Sequence, residues 1–132
     1  MIASLLAGAG CADVAGGAVD LSWTLRTTDG DDTTCSGSRV TVMRLWWEHA
    51  GEEGSAAWPC ENVRAITDFE VPAGPALLWV TPECADGPAA AGTFVAPPPL
   101  SRTIETGEVI GLGAVVVQVQ RTRCDEQPCI CS

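Results

Sequence analysis

The chain has 132 residues, the length of one ordinary domain. Seven basic residues, all Arg, against 17 acidic ones give a net charge of −10. Phosphate backbones and anionic membrane surfaces repel such a chain, which argues against nucleic-acid binding and direct membrane binding. Seven cysteines in so short a chain indicate disulfides and an oxidising compartment, with one cysteine left for another role.

The first 18 residues form a segment similar to a signal peptide, followed by a small-residue linker. Met1–Gly10 is apolar and rich in small residues, and Cys11 follows it directly. It is too short to span a bilayer, which takes roughly 20 apolar residues. Small residues before a cysteine resemble the end of a bacterial lipoprotein signal peptide, in which that cysteine carries the lipid. We therefore expect lipidation at Cys11, and the alternative is a Gly/Ala-rich N-terminus with a spare cysteine.

The first part of the β-domain, which we predict over residues 19–120, contains two strands. Residues 19–25 alternate apolar and polar side chains, the pattern of a half-buried strand. A polar loop over 27–38 leads to a second strand over 40–47. Another polar loop is predicted over 48–55.

The middle of the chain predicts a hairpin. Residues 63–71 alternate again, with Val63, Ala65, Thr67, Phe69 and Val71 on one side. Pro72-Ala73-Gly74-Pro75 stops this strand, because Pro lacks the amide proton and Gly tolerates the positive φ of a tight turn. Residues 76–81 follow, apolar on both faces as in a central strand.

The remainder predicts three more strands, a short edge strand over 93–96 and longer ones over 100–105 and 108–120. Regularly spaced strands without a helical period favour an all-β fold, a single antiparallel β-sandwich of about seven strands stapled by disulfides. Residues 121–132 form a cysteine-rich C-terminal tail.

A resemblance supports the same topology. Thr67-Asp68-Phe69-Glu70-Val71-Pro72-Ala73-Gly74, followed by Leu77-Leu78-Trp79-Val80, resembles a signature of transthyretin-like and carboxypeptidase-regulatory-like domains. The resemblance implies a prealbumin/Ig-like sandwich used as an accessory or surface module. Together with the Cys11 segment, the chain also resembles bacterial surface lipoproteins of the cell envelope, held at the membrane through the lipid alone.

The other six cysteines are expected to form three disulfides: Cys35, Cys60, Cys84, Cys124, Cys129 and Cys131. Six cysteines allow 15 pairings, and the sequence leaves them open. Cys35 and Cys60 flank the strand over 40–47 and are placed to tie its two ends. Zinc is the alternative, but no C-x-x-C pair is present, so we expect no metal and no cofactor.

Catalytic candidates are weak. Asp29-Gly30-Asp31-Asp32 clusters carboxylates, but Val40 stands where a calcium loop of the EF-hand type needs a bidentate Glu. His49 is the only histidine, and no nucleophile elbow accompanies it. We expect a non-catalytic module with a binding or structural role. The alternative is a small extracytoplasmic hydrolase or inhibitor whose site has no recognisable motif.

Tryptophan is over-represented, with five Trp against two Phe and no Tyr. Large rigid aromatic faces suit recognition of a protein or a glycan. Trp46 and Trp47 are adjacent in a predicted strand and must point to opposite faces. Trp58, beside Pro59, is predicted in an exposed loop. Trp46, Trp47 and Trp58 are therefore the predicted ligand surface, and the alternative places Trp23 and Trp79 in the core with the others covering loops.

Overall fold

Two β-sheets make up most of the protein in a computed structural model that describes residues 15–120, 130 and 131. The strands of this part, in chain order, are β1 (Gly16–Thr27), β2 (Asp32–Thr33), β3 (Val42–His49), β4 (Glu52–Pro59), β5 (Arg64–Ile66), β6 (Val71–Pro72), β7 (Gly74–Cys84), β8 (Gly87–Pro88), β9 (Phe94–Val95), β10 (Leu100–Ile104) and β11 (Val109–Val119). The all-β prediction is confirmed. No helix within these described ranges is long and apolar enough to cross a membrane.

The first sheet is built around β1. On one side β1 pairs with β11, which in turn pairs with β9; on the other side it pairs with β2, β5 and β6. The β1–β11 pair is parallel, from Ala18 opposite Val109 to Thr27 opposite Val119. The prediction of a purely antiparallel arrangement is wrong for this pair. Parallel strands need a long connection, and here the middle of the chain, including the second sheet, provides it.

The second sheet has the order β10-β7-β3-β4, with β8 added beside β7. Strands β3 and β4 form a hairpin around Ala50 and Gly51, which have φ of 53° and 85°. Two central residues with positive φ are the usual connection between tightly paired strands, because their twist matches the strands. The polar loop predicted over 48–55 is therefore wrong, since β3 continues to His49 and β4 begins at Glu52.

The hairpin predicted over residues 63–81 is also wrong. Only β5 and β6 form in its first half, and both pair with β1 in the first sheet. Strand β7 begins at Gly74 and lies in the second sheet between β3 and β10. The bend at Pro72–Gly74 thus carries the chain from one sheet to the other. The central position predicted for residues 76–81 is confirmed.

Short elements replace the loop predicted over 27–38. Strand β2 pairs with the end of β1, and a four-residue helix, α1 (Cys35–Ser38), follows it. The Thr34 side chain caps α1 by accepting from the Gly37 amide at 2.9 Å. A 3-10 turn over Cys60–Asn62 follows β4.

Buried residues of both sheets form one hydrophobic cluster. In β1 the inward positions Val19, Leu21, Trp23 and Leu25 are nearly inaccessible, as the alternation predicts. Ile130 and Cys131, within the predicted tail, are also buried there. β1 begins at Gly16, inside the predicted linker.

Two disulfides form among the described residues, Cys35–Cys60 and Cys84–Cys131. The first links the residues before β3 to the residue after β4, at the open end of the β3–β4 hairpin. Cys35 and Cys60 do pair, but the expectation that they tie the two ends of β3 is wrong, because β4 returns the chain to the start of β3 before Cys60. Cys11, Cys124 and Cys129 lie outside the described residues, so lipidation and the third disulfide stay predictions. Disulfides persist under oxidising conditions, and these two indicate an extracytoplasmic environment.

Candidate ligand-binding surface

The five tryptophans divide into inward-facing and outward-facing rings. Trp23 is 4% exposed and Trp47 is 6% exposed, both in the hydrophobic cluster. Trp46, Trp58 and Trp79 are half-buried. Trp46 and Trp47 do point to opposite faces of β3, so one of the two leaves the core, as predicted. Trp47 packs against Gly54 of β4, where a Cβ atom would collide with its indole.

Trp58 lies in β4 and not in a loop. It stands opposite Met43, which is buried, and packs against the cluster. Its ring lies 6.3 Å from that of Trp23, with 25° between their planes. Trp23 is fixed because its Nε1 donates to the Cys60 carbonyl at 2.8 Å. Trp58 therefore covers the edge of the core, and its assignment to an exposed loop is wrong; Pro59 ends the strand after it.

Trp46 and Trp79 form a second pair on the outer face of the second sheet. They stand directly opposite each other on β3 and β7, with ring centroids 6.3 Å apart and planes within 9°. Trp46 Nε1 donates to Thr81 Oγ1 at 2.9 Å. Neither ring belongs to the hydrophobic cluster. The sheet therefore holds two parallel indoles in fixed positions without using them to fill the core.

An ion pair supports this aromatic pair. Arg44 Nε lies 2.5 Å from Glu83 Oε2, and Arg44 Nη1 donates to Ser55 Oγ at 3.0 Å. The guanidinium carbon of Arg44 is 5.8 Å from the centre of the Trp46 ring, a cation–π distance. The hydrogen bond to Glu83 and the charge of its carboxylate raise the pKa of Arg44, against a smaller opposing effect of burial. Arg44 is thus a permanent cation beside Trp46.

A groove of about 320 Å³ runs beside the pair. We call it the outer groove; its lining includes Trp46, Glu53, Trp79, Thr81, Pro88 and Phe94. Its walls are mostly aromatic or proline, with the Glu53 carboxylate and the Thr81 hydroxyl as polar groups. A largely apolar cleft with a few placed polar groups is typical of a small-ligand site.

Another depression, of about 440 Å³, lies at the start of α1 and the 3-10 turn. Threonine and serine hydroxyls, Glu61 and the exposed Val63 line it, and its one tryptophan is Trp23. Because Trp23 is 4% exposed, this depression offers no aromatic face. The outer groove is the smaller of the two but has the better chemistry for recognition.

His49 and Asp32 make contacts within the described part of the fold. His49 Nδ1 donates to the Pro75 carbonyl at 2.9 Å, and its ring touches Gly74, whose φ is 120°. Asp32 lies 3.6 Å from Arg26 in an exposed ion pair. Among the described residues, no three His, Cys, Asp or Glu side chains come together in an arrangement able to hold a metal ion.

Of the predicted ligand surface, the structure places Trp46 at the outer groove and Trp47 and Trp58 on the inner face. Sequence reasoning missed Trp79 as the partner of Trp46. The pattern of β7 contains the information, since Leu78 and Val80 are buried and Trp79 lies between them. What the sequence lacks is the register that sets Trp79 opposite Trp46.

No protein-family model matches the chain, and no curated protein matches it. Among solved structures, a leucine-rich repeat protein from Bacteroides thetaiotaomicron is similar over 79% of this chain, with 14% identity and a TM-score of 0.40. The chain spans 12% of the length of that protein. A likeness at this level supports no argument about fold or function.

Proposed function

We propose that the protein is an exported, non-catalytic module that binds a glycan in the outer groove. The observation that carries the proposal is the Trp46–Trp79 pair. Two parallel indoles stand on an outer face, held by Thr81 and by Arg44, although the core is complete without them. Aromatic rings fixed before binding lose little conformational entropy when a ligand arrives.

The groove suits a sugar because a sugar ring has two kinds of surface. Its C–H faces are apolar and stack on an aromatic ring, while its hydroxyls need hydrogen-bond partners. The indoles of Trp46 and Trp79 supply the first contact, and Glu53 and Thr81 at the groove supply the second. With a net charge of −10, the protein repels acidic sugars. We therefore expect neutral or amino sugars as ligands.

The non-catalytic part of the proposal rests on what His49 does. The chain has one histidine, and it donates to the Pro75 backbone and packs on Gly74, away from the outer groove. Its ring fixes the start of β7, where the chain crosses between the sheets. In our proposal the His49 imidazole therefore has a structural role at the start of β7 and does not act as a general base.

The ligand test starts with an array of neutral, amino and acidic oligosaccharides. A sugar that binds is then titrated by intrinsic fluorescence against the wild type, Trp46→Ala and Trp79→Ala. Each variant should lose about 30-fold in affinity, the size of a binding hot spot. Leu77→Ala is the matched control, since Leu77 lies on the same strand and face and is 40% exposed. Absence of glycan binding, or an equal loss in the control, contradicts the proposal.

We propose further that the two sheets form a prealbumin/Ig-like sandwich and that lipid on Cys11 holds it at a bacterial cell envelope. The support is the shared core of the two sheets, the small-residue run before Cys11 and the odd cysteine count. The gene with its upstream sequence is expressed in a bacterial host, and the intact mass of the membrane fraction is compared with that of Cys11→Ala. A wild-type protein that keeps Met1–Gly10 and stays soluble contradicts the anchor.

A further inference from the structure

The outer groove crosses four strands of the second sheet. Trp46 of β3 stands opposite Ser55 of β4, and Glu53 lies two residues before Ser55, on the same face of that strand. On the other side of Trp46, Trp79 stands opposite it on β7, and Pro88 lies beyond β7 on β8. The groove therefore runs from Glu53 across the two indoles to Pro88. Of the described residues that line it, Glu53 is the one with a charged side chain.

A second carboxylate accompanies Glu53 across the β3–β4 hairpin. Glu48 stands directly opposite Glu53 in the ladder, and the Cβ atoms of such opposed residues lie about 4.5–5.5 Å apart on one face of the sheet. Like charges in this arrangement repel each other and destabilise the strand pair. In the part of the chain that the structure describes, neither Glu48 nor Glu53 takes part in an ion pair. The negative charge at this end of the groove is therefore not neutralised by a basic side chain of the described residues.

The two sides of the Trp46 ring differ in charge. Arg44 precedes Trp46 by two residues on the same face of β3, and Glu48 follows Trp46 by two residues. The charge of Arg44 is neutralised by Glu83, and Arg44 is not among the residues that line the groove. Glu53, which does line it, lies on the side of Glu48. A ligand in the groove therefore meets negative charge next to the indoles and no exposed positive charge from Arg44.

A positively charged ligand group suits this end of the groove. A cation over the face of a tryptophan ring is attracted by its π-electrons, and a carboxylate beside the ring adds a charge-assisted hydrogen bond. Glu53 is the diagonal neighbour of Trp46, a separation that long side chains bridge. Among sugars, a hexosamine with a free amine carries an ammonium group on the same ring that stacks on the indole. Acetylation of that amine removes the charge, as it does for lysine.

We infer that Glu53 determines specificity in the outer groove by selecting sugars with a free ammonium group over their N-acetylated counterparts. The inference rests on the proposed glycan-binding function and names the ligand class for the same site. The bound sugar stacks a C–H face on the indoles of Trp46 and Trp79 and directs its ammonium group toward Glu53 and Glu48. The positive charge also relieves the repulsion between the two opposed carboxylates, which a neutral sugar leaves in place.

Two oligosaccharides of equal length test the inference, one of glucosamine and one of N-acetylglucosamine. Both are titrated by calorimetry at slightly acidic pH, where the free amine is protonated. The wild type should bind the glucosamine oligomer about ten-fold more tightly, because a hydrogen bond to a charged group contributes at least that much. Glu53→Gln should abolish this preference and leave the affinity for the N-acetylated oligomer unchanged. Glu48→Gln should reduce the preference by a smaller factor, because Glu48 does not line the groove.

General attraction needs its own controls, because a protein of net charge −10 attracts any cation. Glu52→Gln removes the same charge from the preceding residue of β4, which is not among the residues that line the groove. It should keep the wild-type preference for glucosamine. Trilysine is a cation without a sugar ring and should bind more weakly than the glucosamine oligomer, with equal responses to Glu53→Gln and Glu52→Gln. Thermal unfolding checks that all variants fold.

The outcomes separate this inference from the proposed function. If the two oligosaccharides bind equally well, the groove binds a glycan but the selection by Glu53 is wrong. The inference is also overturned if Glu52→Gln loses as much affinity for glucosamine as Glu53→Gln, or if trilysine binds as tightly as the glucosamine oligomer. If neither oligosaccharide binds, the inference fails, and the array of other sugars decides whether the proposed function fails with it.

Discussion

The two tryptophan pairs have the same ring separation and opposite surroundings. Trp23 and Trp58 lie 6.3 Å apart on the inner side, and Trp46 and Trp79 lie 6.3 Å apart on the outer side. The inner pair bridges the two sheets and seals their core. The outer pair joins neighbouring strands of one sheet and faces a groove. The comparison shows that register, and not residue type, decides whether an aromatic pair serves stability or recognition.

Truncating one ring from each pair should give the largest difference in stability between the inner and the outer pair. Trp23→Ala leaves a cavity at a site 4% exposed and removes the donor to the Cys60 carbonyl, so it should lower the free energy of unfolding by about 3–5 kcal/mol. Trp79→Ala should cost about 1 kcal/mol, as is usual for a partly exposed site. Urea unfolding measures both. Similar losses in the two variants would mean that the outer pair is structural.

The next test removes the disulfide beside the inner pair. Cys35→Ala with Cys60→Ala opens a loop with a sequence separation of 25 residues and should cost about 3 kcal/mol. Cys60 also presents the carbonyl that holds Trp23, so the fluorescence of the inner pair should shift to the red. Glycan affinity should stay near that of the wild type, because the outer groove lies elsewhere. A large loss of affinity would show that the two pairs are coupled.

The smallest expected effect comes from the ion pair next to the outer rings. Glu83→Gln keeps the shape but removes the charge facing Arg44, and should cost about 0.5–1 kcal/mol of unfolding free energy. Because Glu83 raises the pKa of Arg44, the stability that comes from charging Arg44 is present at neutral pH and is lost as strongly alkaline pH rises through that pKa. Asp32→Asn, which removes the exposed pair with Arg26, is the control and should cost almost nothing. Equal costs would contradict the supporting role of Glu83.

The pattern of apolar and polar residues along the chain predicted the longer strands. Alternation located β1, and the apolar runs located β3, β7 and β11 to within a few residues. The same reasoning missed β4, because its first six residues are Glu, Gly, Ser and Ala along an edge with little burial. It also predicted a hairpin over 63–81, since neighbouring strands usually pair with each other. Here β6 pairs with β1 through Gly16 and Gly17, a partner about 55 positions earlier that no local pattern reveals.

Prediction of the candidate site also required knowing which strands pair with each other. Trp46 was predicted because two adjacent tryptophans in a strand cannot both point inward. Trp58 was misplaced because Pro59 suggested a loop, whereas Pro is tolerated at the end of an edge strand. The alternative interpretation of the tryptophans placed Trp79 in the core. In the structure Trp79 lies outside the hydrophobic cluster. Its place in the site required knowing that β7 pairs with β3.

The parallel β1–β11 pair has a consequence for the order of folding. The β3–β4 hairpin closes through a two-residue turn, and hairpins form within about 1–10 μs. The first sheet joins the first strand of the described chain to its last long strand, and contacts so distant in sequence slow folding. As the chain emerges from a ribosome or a membrane pore, β1 stays without its main partner until β11 has emerged as well. Its row of Val19, Leu21, Trp23 and Leu25 is then the surface that a chaperone must protect longest.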